Sequence, residues 1–222
     1  MTRKRNPRFQ GEAIKKNEND VQTFCESLPD NLNSLSENRP ESESKKRTRF
    51  FVQDESRLGL MFPMRRRITA KGIKPIQVVD FRFENYYLYG AVEPISGDRF
   101  ILELPYLNSD CFQVFLNEFS SYCIDDFIIL LVDNSSTHKA KKLVIPKNIV
   151  LLFLPPYSPE LNPIERLWQH IKSKVTFSFL ESLEALKQNV ADELLKLTDS
   201  IVASITGYSY IVNAMNSLMH NY

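Results

Sequence analysis

Cysteine is scarce in this chain, and none of it is paired by spacing. Cys25, Cys111 and Cys123 are the only three in 222 residues, and only three histidines accompany them. No CxxC pair and no ligand spacing exists, so the sequence gives no basis for a disulfide framework or a zinc site. The thiols read as reduced and structural, in an intracellular protein. Long hydrophobic runs are also missing. The longest are of strand length, so no membrane span is expected. The start, MTRKRNPRFQGEA, has charge but no apolar segment after it, and so does not read as a secretory signal. A charge excess is lacking too: 28 basic against 27 acidic residues leaves +1, and no global field demands a polyanion. No internal repeat is visible.

What is present is an ordinary soluble composition, 43% hydrophobic and 25% charged, in a chain long enough for one core plus an appendage. The basic residues are clustered: Arg3, Lys4, Arg5 and Arg8; Lys45 to Arg49; Arg65 to Arg67; Lys139 to Lys142. Such blocks are ordinarily solvated faces, but four of them in one modest chain point toward a polyanion. Residues 1–48 are polar and read as a linker arm. A short amphipathic helix through Val21, Phe24, Cys25 and Leu28 is expected in it, outside the core. Residues 49–222 read as the folded domain.

Within that domain RFFVQDE is a short strand, and residues 64–81 read as a hairpin excursion. NYYLYGAVEP and DRFILELPY are two strands joined by PISGD. Cys111, Phe112, Phe115, Leu116 and Phe119 recur at helical spacing behind a cap at Asn108 or Ser109. FIILLVD and NIVLLFLPP are continuous apolar runs, the mark of strands buried on both faces. A helix opened by Asn162 follows, then one with Leu183, Leu186, Val190, Leu194 and Leu197 on one face. The tail adds a turn or two. This order implies an α/β domain, a mixed sheet covered by helices.

The acids fall at informative places. Asp54 ends RFFVQD, and Asp133 ends FIILLVD. A carboxylate closing an apolar strand sits at the sheet edge where open α/β sheets bind ligands, although each Asp could merely begin a turn. Glu165 follows a stiff stretch, LPPYSPELNPIERLW, with Pro155, Pro156, Pro159 and Pro163. Asn162, Pro163 and Glu165 form a capping-box pattern, in which the Glu reaches back to the Asn162 N–H. The competing reading has the prolines aim Glu165 into a site with the two aspartates. Converging carboxylates repel and call for a hard cation, and oxygen-only ligation favours Mg²⁺ or Mn²⁺. Two such ions about 3.5–4 Å apart can clamp a phosphodiester. The basic clusters would then form a phosphate-gripping rim.

VQDESRLGL, LVDNSSTHKAKKL and LPPYSPELNPIERLW together resemble the three catalytic blocks of DDE transposases, in the bacterial insertion-sequence branch of the mariner-like superfamily. The resemblance runs from about Arg49 to the C-terminal helix. It implies an RNase H-like fold, the triad Asp54, Asp133 and Glu165, two Mg²⁺ ions, and cut-and-paste transposition. Water cleaves the DNA ends, and the freed 3′-OH attacks target DNA. It further implies double-stranded DNA as partner, a homodimer on that DNA, and a place beside the bacterial nucleoid in the cytoplasm. Relatives usually carry helix-turn-helix domains ahead of the catalytic domain; here only the arm precedes it. Recognition of the element ends by a separate helix-turn-helix chain, or a truncated product, is therefore expected.

Other residues carry weaker expectations. Glu55 should point away from Asp54, because alternate strand positions face opposite ways. Asn134 adjoins Asp133. His138 could hydrogen-bond a phosphate or a metal-bound water, or cap a helix. Arg57 and Lys139 are phosphate-contact candidates against a default of solvated surface, and Tyr157 is a base-stacking candidate. Trp168, three residues after Glu165, reads as core beneath the site. A nuclease on the same fold, and a non-enzymatic DNA-associated derivative, remain as other readings.

Overall fold

The computed structural model describes residues 7–60, 72, 82–175 and 182–219. The hairpin excursion and the cluster Arg65 to Arg67 fall almost wholly outside them, as do Arg3, Lys4 and Arg5. Five strands form one sheet: β1 (Arg47–Gly59), β2 (Asn85–Val92), β3 (Arg99–Leu104), β4 (Asp126–Val132) and β5 (Ile149–Phe153), in the order β3-β2-β1-β4-β5. The β3, β2 and β1 strands are antiparallel neighbours, and β1, β4 and β5 are parallel. The sheet is therefore mixed, as expected, and β1 joins its two halves.

The apolar run of β4 shows how the sequence builds both faces. With a side-chain period of two, Phe127, Ile129 and Leu131 enter one core, and Ile128, Leu130 and Val132 the other. Helix α2 (Ser109–Tyr122) covers the second face with Phe112, Phe115 and Phe119, all fully buried. Asn108 caps it, accepting from the Cys111 N–H at 2.8 Å. Helices α3 (Ile164–Val175), α4 (Leu183–Lys196), α5 (Asp199–Thr206) and α6 (Ser209–Met219) cover the first face. The tail thus forms two helices rather than a turn or two.

The N-terminal segment corrects a second expectation. Helix α1 (Pro7–Glu37) is a long helix that runs through Pro29. Its Phe24, Leu28 and Leu32 lie four residues apart, so they form one stripe, and all three join the first core. The stripe packs where α6 lies. The helix is a core element, not a free arm.

Arg49 also departs from its expected role in a phosphate rim. Its guanidinium lies 2.7 Å from both Glu93 and Asp98 and 3.3 Å from Asp126, and it stacks over Phe51. These acids flank β2, β3 and β4, so one cation fastens four strands at the end of the sheet away from Asp54. Among the described residues no helix is long and apolar enough to cross a membrane.

Candidate active site

Parallel pairing of β1 with β4 runs from Arg47↔Asp126 to Val52↔Leu131. Two residues further along each chain come Asp54 and Asp133. Asp133 directly follows β4. Asp54, however, does not end its strand: β1 continues to Gly59 alongside β2, and Asp54 stands just beyond the last β1–β4 pair. Val52 and Leu131 share the first core, so Asp54, two residues past Val52, faces α3.

Asn162 brings the third acid. Its side-chain amide donates to the carbonyl of Gln53, the residue before Asp54, at 2.8 Å. Its own carbonyl accepts from the Glu165 N–H at 3.2 Å, and its Oδ1 from the Ile164 N–H at 3.4 Å. One buried side chain thus ties the start of α3 to the strand that carries Asp54. The capping-box return bond is not formed, because the Asn162 N–H already donates to the Pro159 carbonyl at 2.9 Å. Glu165 instead lines a cleft of about 430 Å³ with Asp54, Asp133, Asn134, Lys139 and Tyr157.

The two aspartates sit in opposite electrostatic settings. Burial, then the negative charges of Glu55, Glu165 and Asp133, push the Asp54 carboxyl well above the ordinary range. The Asp133 carboxyl is held down at about 2, chiefly by its hydrogen bond to His138 and also by the Ser135 N–H at 2.9 Å. His138 is 3% exposed and lies between two carboxylates, with Nδ1 2.7 Å from Asp133 and Nε2 3.0 Å from Glu55. Burial works against its charge, but the two acids outweigh this and raise it to about 10. Both ring nitrogens can then donate.

A sequence profile described as DDE superfamily endonuclease matches residues 49–187, more than half of the chain. The chain belongs to the DDE endonuclease superfamily. An uncharacterised protein of Sinorhizobium fredii (strain NBRC 101917 / NGR234), y4pE/y4sA, is 42% identical over 88 residues, which are 39% of this chain and 64% of that protein. Among solved structures, a pre-cleavage Mos1 transpososome aligns with a TM-score of 0.60 at 15% identity, over 91% of this chain and 63% of that one. The Mos1 mariner paired-end complex with Mn aligns at 0.57 and 16%, over 86% and 59%. A corresponding complex with Mg aligns at 0.57 and 18%, over 87% and 58%. The chain spans under two thirds of each of these relatives. At such identities the likeness shows the fold, which is RNase H-like.

In this DDE domain the expected side residues divide clearly. Asn134 donates to the Leu154 carbonyl and so fastens the end of β4 to the residue after β5. Lys139 stands at the rim of the cleft, with its ammonium over the Phe153 ring at 5.1 Å. Tyr157 is 93% exposed and has φ 60°, a left-handed conformation that is uncommon for so large a residue. Arg57 is exposed on β1 and does not line the cleft. His138 is neither a surface contact nor a helix cap; it braces Asp133 from behind. Glu55 does face away from Asp54, as expected, and its partners there are His138 and the side-chain amide of Gln53.

Two contacts escaped the sequence. Trp168 is buried as expected, but its indole N–H also donates to Asp54. Gly90, opposite Asp54 on β2, leaves room for that indole. A glycine inside NYYLYGAV does signal a close approach.

The donors lining the cleft include three carboxylates, which suits a hard divalent cation, and the mutual repulsion felt by Asp54 is what such a cation relieves. Among the described residues no three His, Cys, Asp or Glu side chains close around a single point. A second cavity, of about 500 Å³, lies toward the other end of β1. It is lined by Arg39, Lys45, Lys46, Arg47 and Met215, with Glu93 as its one acid, a poor donor set for a cation.

Proposed function

We propose that this chain is the catalytic part of an insertion-sequence transposase that cleaves and joins DNA in cut-and-paste transposition. The observation that carries this reading is the meeting of Asp54, Asp133 and Glu165 in one cleft, delivered by β1, the end of β4 and the start of α3. Membership of the DDE endonucleases supports it. So do the Mos1 structures, described as strand-transfer, paired-end and pre-cleavage assemblies.

The three carboxylates would hold two Mg²⁺ or Mn²⁺ ions. When bound, these ions would stabilise the attacking and leaving oxygens of a phosphodiester. The chain does the rest by position. His138 and the Ser135 N–H fix Asp133, Asn162 sets Glu165 against β1, Lys139 offers a cation to phosphate, and Tyr157 offers a ring to an unpaired base. Residues 49–222 carry the chemistry in this proposal, with residues 1–48 adding α1 as a buttress. Double-stranded DNA, a second copy of the chain, a separate helix-turn-helix chain and a site beside the bacterial nucleoid belong to the same proposal.

The test is nicking of supercoiled DNA by wild type and by Asp54→Ala, Asp133→Ala and Glu165→Ala, with circular dichroism on each. Mg²⁺ and Mn²⁺ should support nicking. Ca²⁺, larger and with longer ligand distances, should do so poorly. Each variant should fold and lose nicking. A folded variant that nicks like wild type removes that residue from the site. A wild-type chain that binds DNA but never nicks it leaves association without cleavage as the function.

A further inference from the structure

Trp168 is the sole tryptophan of the chain and is 2% exposed. It follows Glu165 by three residues, so both lie on one face of α3. Its Nε1 donates to Oδ2 of Asp54 at 3.1 Å. Its seat is unusually specific. The antiparallel ladder sets Gly90 directly opposite Asp54. A Cβ on Gly90 would stand 2.6 Å from Cη2 and 2.8 Å from Cζ2 of the indole, and 3.2 Å from Cδ1 of Ile164. Gly90 has no positive φ, so glycine is required there for space and not for conformation.

A buried indole N–H ordinarily finds some acceptor, and a carbonyl would satisfy it. Here the acceptor is a carboxylate of the cleft, one already burdened by burial and by three negative neighbours. A lysine or arginine in this place would neutralise Asp54 and compete with any cation. An indole orients the carboxylate and leaves its charge in place.

We propose that Trp168, seated on Gly90, is a positioning residue that holds Asp54 by Oδ2 and so fixes the orientation of this carboxylate toward a divalent cation. The cation half rests on the function proposed above; the contact itself does not.

A lone tryptophan gives one indole N–H resonance, so the 222-residue chain labelled with ¹⁵N-tryptophan reports the contact directly. Without metal, Asp54→Ala should move that resonance upfield and speed its exchange with solvent. Mg²⁺ should shift it in wild type. Trp168→Phe keeps the ring and removes the donor; it should raise the Mg²⁺ concentration for half-maximal nicking by about tenfold or more, as loss of a partner behind a metal ligand typically does. Gly90→Ala should move the resonance and raise the Mg²⁺ requirement in the same direction.

A resonance unmoved in Asp54→Ala overturns the proposal, whichever way nicking comes out, and this arm stands even if Trp168→Phe does not fold. An unchanged Mg²⁺ requirement in a folded Trp168→Phe, with wild type responding to Mg²⁺, overturns this inference alone. A wild type in which both resonance and nicking ignore Mg²⁺ overturns it together with the cation chemistry of the proposed function.

Discussion

Asn162 uses every polar atom it has at the start of α3, toward Pro159, Gln53, Ile164 and Glu165. Asn162→Ala would leave the Gln53 carbonyl without this donor in a buried setting, at a cost of about 1–3 kcal/mol. Because Gln53 precedes Asp54, nicking should fall far more than the fraction folded does. Urea unfolding measured beside the nicking assay checks this; a loss of activity fully explained by unfolding would reduce Asn162 to a helix cap. At this scale the sequence was legible where a residue type and its place on an element suffice. Asp133 at the end of an all-apolar run and Glu165 after four prolines could be read directly. The seat of Trp168 could not, because it depends on which residue of β2 pairs with Asp54, and sequence alone leaves that register open. His138 could be placed near the site, but not its bonds to Asp133 and Glu55, which depend on β1 lying beside β4.

Among the elements, α1 is the one whose role changed. Its polarity suggested an appendage, and three apolar residues one helical turn apart show that a helix has a partner without showing which. The partner is the core beside α6. Leu32 is fully buried there, so Leu32→Ala should cost about 2–5 kcal/mol in chemical denaturation, as for an interior leucine. Deleting residues 1–48 should destabilise the domain by more, and should not merely weaken DNA binding. A truncated chain with an unchanged melting temperature would restore the view of a free arm. The strands β4 and β5 followed from their continuous apolar runs, β2 and β3 from apolar segments joined by a turn, and the helices α2 and α4 from helical spacing. The α5–α6 division did not, because short apolar segments in a tail carry too few turns to fix a period.

On the scale of the whole molecule, the cluster of Arg49 with Glu93, Asp98 and Asp126 closes the sheet at the end opposite the cleft. Burial alone would lift the Asp98 carboxyl, but the Arg49 guanidinium and the Tyr122 hydroxyl hold it below the ordinary range. A depressed carboxylate stabilises the fold above its unfolded pKa, about 3.9, and that stabilisation is lost as pH falls through the lower folded value. Arg49→Met should cost about 3–5 kcal/mol at neutral pH, since it strands three acids together. The gap from wild type should narrow as pH falls from about 5 toward 3 and the Asp98 carboxyl takes up its proton. Melting curves across that range check it; a constant gap would mean that Arg49 acts by packing on Phe51. The strand order has a further consequence, which lies in time. Asp54 meets Asp133 only when β4, made much later, docks beside β1, and Glu165 joins only once α3 has followed β5. Such long-range closures come late in folding. A growing chain therefore carries its acids apart until all five strands and the start of α3 have been synthesised. The proposed cleaving power should appear abruptly, no earlier than α3, and not build up along the way.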